Sequence, residues 1–355
     1  MITNIRIGIY KNNLQYCVFI YGINDNLRIL VLEILGQKLI MHIPDGFLDT
    51  KTIVATSILS ATGIAIALKR VKANITPREV PLMGLAAAFV FVSQMLNFPV
   101  VGGTSGHLIG TVLVAVLLGP SAAILVMSSV LVVQCLLFAD GGILSLGANI
   151  LNMAIVGSVV GYSIYRLIFK FIPNNTGRFF AIGIASWLSV IVAAMVCVGE
   201  LGWSNTVAWQ VAFPVMINIH MLIGIGEALI TILIVTAVQT TRPELLQRIS
   251  YDHRKADLKV FTAYTILILV ALLVFVSPFV SPWPDGLERV ASMFGFEQRS
   301  ISSMMNAPLS GYQFPGVGSG ALATAIAGFI GAIVVFVLSF VLAKKISHRS
   351  SEHHI

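Results

Sequence analysis

The chain has 355 residues, of which 57% are hydrophobic and 10% charged, and its formal net charge is +7. Soluble domains carry roughly a quarter charged residues, and a mean hydropathy of +0.92 is more apolar surface than a water-soluble globule of this size can hide. This excludes disordered tails, extracellular scaffolds and ordinary cytosolic enzymes, and predicts an all-α, polytopic helical membrane protein. In such a chain the basic excess reports topology rather than nucleic acid.

Residues 1–40 come first and match nothing that follows. Arg6, Lys11, Asp25, Arg28, Glu33 and Lys38 interrupt modest apolar stretches, and the run Ile29-Leu30-Val31-Leu32 is too short for a span. The segment reads as an extension outside the working protein, and no cleavable signal peptide is evident.

Apolar runs then cover 52–68, 80–97, 107–119, 121–139, 149–170, 179–199, 209–239, 259–281 and 319–343. A span needs about 20 residues, so 107–119 is either tilted with its loop or an incomplete crossing, and 209–239 has length to tilt or kink. Alternate loops hold Lys69, Arg70, Lys72, Arg78, then Arg166, Lys170, Arg178, then Arg242, Arg248, Arg254, Lys255, Lys259, and finally Lys344, Lys345, Arg349. The opposite loops hold only Lys51, Arg289 and Arg299. The bias places the first set inside and predicts about nine helices with Met41 outside. Residues 41–240 form a seven-span unit, 241–258 a basic cytoplasmic linker, and 259–345 a two-span hairpin whose outer loop, 282–318, is rich in Pro and Gly. Cys17, Cys135 and Cys197 are scattered and form no CxxC motif.

Ionisable groups within spans are costly and mark sites. His220 and Glu227 stand seven residues apart on one helix face and suit either cation binding, proton relay or a packing pair. His107 follows the glycine-rich Gly102-Gly103-Thr104-Ser105-Gly106, where irregular backbone can approach a ligand. Gln94 and Asn97 lie upstream, and Asn149 and Asn152 lie three apart on a later helix; all either line the same pocket or bond neighbouring helices. Met41-His42-Ile43-Pro44-Asp45-Gly46 is a turn leading into a helix. If Met41 begins the chain, its amine, the backbone nitrogen and imidazole of His42, and a fourth nitrogen from His107 would make a planar set. Planar nitrogen sites suit Ni(II) or Cu(II), whereas zinc prefers a tetrahedron and magnesium an octahedron of oxygens.

Three segments in order, MHIPDGFL, GGTSGH and HMLIGIGEALIT, resemble the CbiM/NikM family over residues 41–240. These are substrate-binding membrane subunits of energy-coupling-factor transporters for cobalt and nickel. Ser281-Pro282-Trp283-Pro284-Asp285-Gly286-Leu287-Glu288 is similar to the PDGLE domain, an accessory component of the same systems. The resemblance implies Ni2+ or Co2+ as transported substrate in a multi-pass protein of the inner (plasma) membrane, held near the outer face by Met41, His42 and His107. Asp45, Gln94, Asn97, Ser105, Asn149, Asn152, His220 and Glu227 would be supporting or pathway residues. It also implies a transmembrane coupling subunit and cytoplasmic ATPase subunits as partners. This chain has no GxxxxGK[ST] loop and is expected to bind no ATP itself. The ligand set requires a free amine on Met41, so translation is expected to begin there. The fused hairpin resembles the nickel systems more than the cobalt ones.

The same residues also fit two other functions. Gly103-Thr104-Ser105-Gly106 fits the GxSG pattern of rhomboid-type serine proteases, with His220 as base to Ser105. Alternatively, His220 and Glu227 carry protons in an ATP-independent secondary transporter.

Overall fold

The computed structural model describes residues 6–12, 15–21, 42–77, 79–241, 266, 269, 273, 281, 283–301 and 306–351. Met41, most of the 241–258 linker and most of the expected span 259–281 lie outside the described residues. The chain divides into two compact units, Met1–Leu39 and Ile40–Ile355. In the first, β1 (Arg6–Asn12) and β2 (Gln15–Tyr21) pair antiparallel, with Arg6 opposite Tyr21 and Asn12 opposite Gln15.

The second unit is helical. Its elements run α1 (Thr50–Asn74), α2 (Glu79–Gln94), β3 (Phe98–Val100), β4 (Thr104–Gly106), α3 (Thr111–Leu118), α4 (Pro120–Phe138), α5 (Leu146–Phe171), α6 (Asn175–Trp203), α7 (Trp209–Thr241), α8 (Gly286–Phe294) and α9 (Gly320–Ser351). Among the described residues six helices, α1, α4, α5, α6, α7 and α9, are long and apolar enough to cross a membrane, and α2 is a shorter apolar helix. This is an all-α, multi-pass membrane protein.

The starts of these helices follow from capping. Asp49 accepts from the amide of Thr52 at 3.0 Å and begins α1; Asn174 accepts from Gly177 at 2.7 Å and begins α6. Each satisfies an amide that the first turn leaves without a partner.

The run 107–119 is not a span. Gly110, at φ +76°, precedes α3, which has only 8 residues and ends at Gly119-Pro120. Residues 107–110 are therefore irregular backbone, tolerated in such a protein where other protein covers it. The long α7 contains Pro214 in its first half. Inside α5, residues Ile150–Val156 form π-type turns, a local widening that recurs at functional sites; Asn152 sits in it.

The C-terminal helix α9 packs along α2. Gly84 of α2 lies against the Phe336 ring, and Gly331 of α9 against Phe91 and Phe138. A side chain at either position would hold the helices apart, and small residues at such contacts let helix backbones approach closely. The segment expected as a loop, 282–318, is less irregular among its described residues than its composition predicts. Asp285 and Glu288 form a reciprocal capping box that starts α8, with Glu288 N donating to Asp285 Oδ1 at 2.7 Å and Asp285 N to Glu288 Oε2 at 3.1 Å.

Candidate metal-capture site

Two segments far apart in sequence build the site. The first is the extended stretch after Met41. The amide of Ile43 donates to Asn149 Oδ1 at 3.0 Å, and Asn149 Nδ2 donates back to the Ile43 carbonyl at 3.1 Å. That carbonyl also accepts from Gly142 N at 2.9 Å. The buried Asp45 carboxylate accepts from the amides of Ile143, Leu144 and Ser145 at 3.1, 2.9 and 3.2 Å. Successive amides turned to one point make a nest for an anion, and here the anion is a side chain of the same protein. Gly142 stands so close to Asp45 that a Cβ there would collide with it, and Gly141, at φ +85°, lies against the His42 side chain. Both glycines are needed where the loop meets the segment. Further along, Thr206 donates to the Phe47 carbonyl and Asp49 N donates to Ser204 Oγ at 3.2 Å.

This clamp fixes His42, which is 3% exposed. Its Nδ1 lies 2.9 Å from Asp140 Oδ1, an ion-pair contact outside hydrogen-bond geometry, and its Nε2 has no hydrogen-bond partner. Tyr312 donates its hydroxyl to Asp140 Oδ2 at 2.6 Å. Burial pulls the His42 imidazole down, but the charge and close contact of Asp140, with Asp285 behind it, hold it above the ordinary histidine value.

The second segment is the loop carrying His107. Behind it, β3 and β4 pair with Phe98 opposite Gly106. The Trp283–Pro284 segment holds the β4 edge. Ser105 N and Thr104 Oγ1 donate to the Pro284 carbonyl at 2.8 and 3.0 Å, and Ser105 Oγ donates to the Trp283 carbonyl at 2.7 Å. Ahead of it, Glu227 of α7 accepts from Ile109 N at 2.6 Å and Gly110 N at 2.9 Å, and Gln94 Nε2 donates to the Ile109 carbonyl at 2.9 Å. His107 is pushed down to about 4, chiefly by burial and then by the charge of His42.

The His42 and His107 rings stand 5.8 Å apart between centroids, tilted by 47°. They open on a cavity of about 90 Å³ whose polar lining includes Asn149, Asn152, His220 and Asp285. One water occupies roughly 10–15 Å³ by that measure, so there is room for an ion and a few waters. His220 engages the Met216 carbonyl through Nδ1 at 2.8 Å, which leaves Nε2 as its acceptor nitrogen. Gly286 of α8 sits against that ring. Among the described residues no three His, Cys, Asp or Glu side chains converge closely enough to hold a metal alone. Two imidazoles here would need nitrogens of another kind.

The remaining expected residues divide by role. Asn149 and Asn152 line the cavity; Asn152 also donates to the buried Glu200 at 2.8 Å. Gln94, Glu227 and Asp45 hold backbone rather than face the cavity. Asn97 accepts from Ser281 N through its carbonyl at 2.9 Å. His220 and Glu227 share a face but have separate partners. The Ser105–His220 dyad is not formed: the Ser105 hydroxyl donates a hydrogen bond to the Trp283 carbonyl, and His220 Nδ1 engages the Met216 carbonyl. Asp140, Glu200 and Tyr312 were not singled out in the sequence, nor was Asp285 outside its motif. The only local signal for Asp140 is an acid ending an apolar run immediately before Gly141-Gly142.

The fold and cavity define a multi-pass helical membrane protein with an imidazole-bearing pocket among its helices and loops. The chain belongs to the family described as the cobalt uptake substrate-specific transmembrane region, CbiM, whose model matches residues 42–245; residues 259–348 match the PDGLE domain. The "Putative fused nickel transport protein NikMN" of Archaeoglobus fulgidus is 36% identical over 312 residues, 86% of this chain and 98% of that one. "Cobalt transport protein CbiM 1" of Pelobacter propionicus is 40% identical over 158 residues, 43% of this chain and 70% of that one. A solved structure titled as a transition metal transporter aligns with a TM-score of 0.53 at 32% identity, covering 64% of this chain and 99% of that one. The curated relatives are thus named for nickel and cobalt transport.

Proposed function

We propose that this chain captures Ni2+, with Co2+ as the alternative cargo, for an uptake system of the plasma membrane. Separate cytoplasmic ATPase subunits and a transmembrane coupling partner drive it. The observation that carries this reading is the meeting of His42 and His107 in one small buried cavity, 5.8 Å apart, in a chain of this family. Residues 41–240 act as the capturing unit, 241–258 as the inner linker and 259–345 as the docked hairpin, with Met41 and the loop 282–318 outside.

The donors are the Met41 amine, the His42 backbone nitrogen and imidazole, and His107. Four nitrogens in a plane favour Ni(II) over ions that prefer tetrahedra or oxygen octahedra. The amine donor requires that Met41 begin the working protein. The backbone nitrogen and imidazole of one histidine close a small chelate ring only through Nδ1, because Nε2 is too remote. That His107 is held deprotonated supports its role, since imidazole binds metal only when neutral.

Nickel uptake is measured in cells expressing this chain and its coupling partner, with and without the ATPase subunits. Uptake that requires them is the expected result. Uptake persisting without them contradicts the ATP-driven reading and favours a stand-alone secondary transporter.

A further inference from the structure

The nitrogen of His42 that the chelate needs is already engaged. Nδ1 lies 2.9 Å from Asp140 Oδ1, and the two side chains are 1% and 0% exposed. Asp140 is held in place by Tyr312, whose hydroxyl donates to Oδ2 at 2.6 Å. Tyr312 is itself fixed: its ring stacks on Phe138 at 4.7 Å and meets Phe91 at 6.2 Å, and Leu309 N donates to the Leu137 carbonyl at 2.9 Å. On the other side Ala139, at φ +54°, ends α4, and Asp140 N donates back to the Gln134 carbonyl at 3.1 Å. The carboxylate is thus aimed by α4 from below and by the C-terminal hairpin from beside it.

We infer that Asp140 and Tyr312 are positioning residues that park His42 in an unloaded orientation, so that the metal competes with Asp140 for Nδ1. The inference rests on the proposed chelate through the His42 backbone nitrogen. A nitrogen that faces a carboxylate at ion-pair distance carries a proton and cannot at the same time give its lone pair to a metal. Nδ1 makes that 2.9 Å contact with Asp140 outside hydrogen-bond geometry, and Nε2 also has no hydrogen-bond partner, so for Nδ1 to ligate the ring must leave Asp140 and carry its proton on Nε2. A ligand binds more weakly to a protein whose competent state is only a fraction of the population. Parking therefore lowers affinity and gives the ion a way out, since His42 has a second partner to return to. The capturing half and the hairpin thereby share control of one ligand: the hairpin supplies Tyr312, and the seven-span unit supplies Asp140 and His42.

The test uses protein made from its natural translation start, with nickel affinity read by chelator competition. Asp140→Asn is expected to hold nickel about tenfold more tightly, the scale of outer-shell changes at metal sites, and to release it more slowly. Tyr312→Phe is expected to shift affinity in the same direction by less. A merely structural role moves both the other way. Equal or weaker affinity in Asp140→Asn overturns the inference: it would make Asp140 a support for a ring that ligates through Nε2. Nitrogen NMR of the His42 ring in metal-free protein gives a second readout. A proton on Nδ1 is expected, and a proton on Nε2 alone overturns parking. Wild-type protein that binds no nickel fails the transport reading, and the inference falls with it; wild-type binding without tightening in Asp140→Asn fails the inference alone.

Discussion

Glu227 on α7 takes both the Ile109 and the Gly110 amide, at 2.6 and 2.9 Å, and so fixes the loop that presents His107. A carboxylate deep in a helix bundle is costly unless its charge is met, and two aligned amides at the start of α3 meet it. The residue therefore supports the site through backbone, at one remove from any ion. Glu227→Gln keeps the shape but puts an amide donor where an acceptor is needed. The expected cost is about 1–3 kcal/mol of stability, read as a lower melting temperature in detergent, with nickel binding weakened by roughly tenfold rather than lost.

His42→Ala and His107→Ala are expected to behave differently from Glu227→Gln. Each removes one nitrogen of the proposed plane, so nickel affinity should fall by more than about a hundredfold, beyond the range of outer-shell changes. Titration of purified variants with nickel checks this. His220→Ala should stay within about tenfold; an equal loss in all four variants would contradict the proposed ligand set.

The clamp around Ile43 gives a test of the support alone. Asn149 satisfies both the amide and the carbonyl of Ile43. Asn149→Ala should cost about 1–3 kcal/mol by leaving the buried Ile43 amide unpaired, while the Ile43 carbonyl keeps its bond from Gly142 N. Gly142→Ala should be worse, because a Cβ would collide with Asp45 and expel the segment that carries His42. Folded protein yield and melting temperature read both, and a Gly142→Ala protein as stable as wild type would contradict the clamp.

Acid should weaken the protein through His107. Its ordinary value of 6.5 is lowered to about 4, first by burial. As pH falls below 6.5 the unfolded chain takes up a proton there and the folded one does not. Stability from this group is therefore complete above about 6.5 and lost progressively toward about 4. His42 runs the other way. Burial opposes its charge, but Asp140 raises it above the ordinary value, so its contribution is complete below 6.5 and lost as pH rises through its folded value. Melting temperature of metal-free protein should drop between pH 6.5 and 4, and drop less in His107→Gln. Bound nickel should also leave on acidification, because amine and imidazole must be deprotonated to ligate.

Much of this was legible in the chain. Apolar runs gave most of the helices because a membrane span leaves a long, unmistakable composition. His42, His107, Asn149 and Asn152 stood out as polar groups beside or within such runs, and the structure gathers all four around one cavity. The short run 107–119 was ambiguous for a physical reason: its composition is that of a span, while Gly110 and Gly119 confine its helix to Thr111–Leu118. The roles of Glu227 and Asp45 were hidden because their partners are main-chain amides, which have no sequence signature. Asp140 and Tyr312 were invisible because their hydrogen bond joins residues 172 apart, across two parts of the chain whose docking no local pattern reveals. The π-type turns at Ile150–Val156 likewise arise from packing and leave the periodicity almost unchanged.

In the proposed site a metal is held by the Met41 amine, His42 and His107. Elemental analysis of nickel and cobalt in purified chain beginning at Met41, beside the 355-residue form, tests it most directly. Nickel is expected to be retained by the shorter form and lost from the longer, whose Met41 nitrogen is a peptide nitrogen. Equal retention in both forms, or metal in neither, would contradict it.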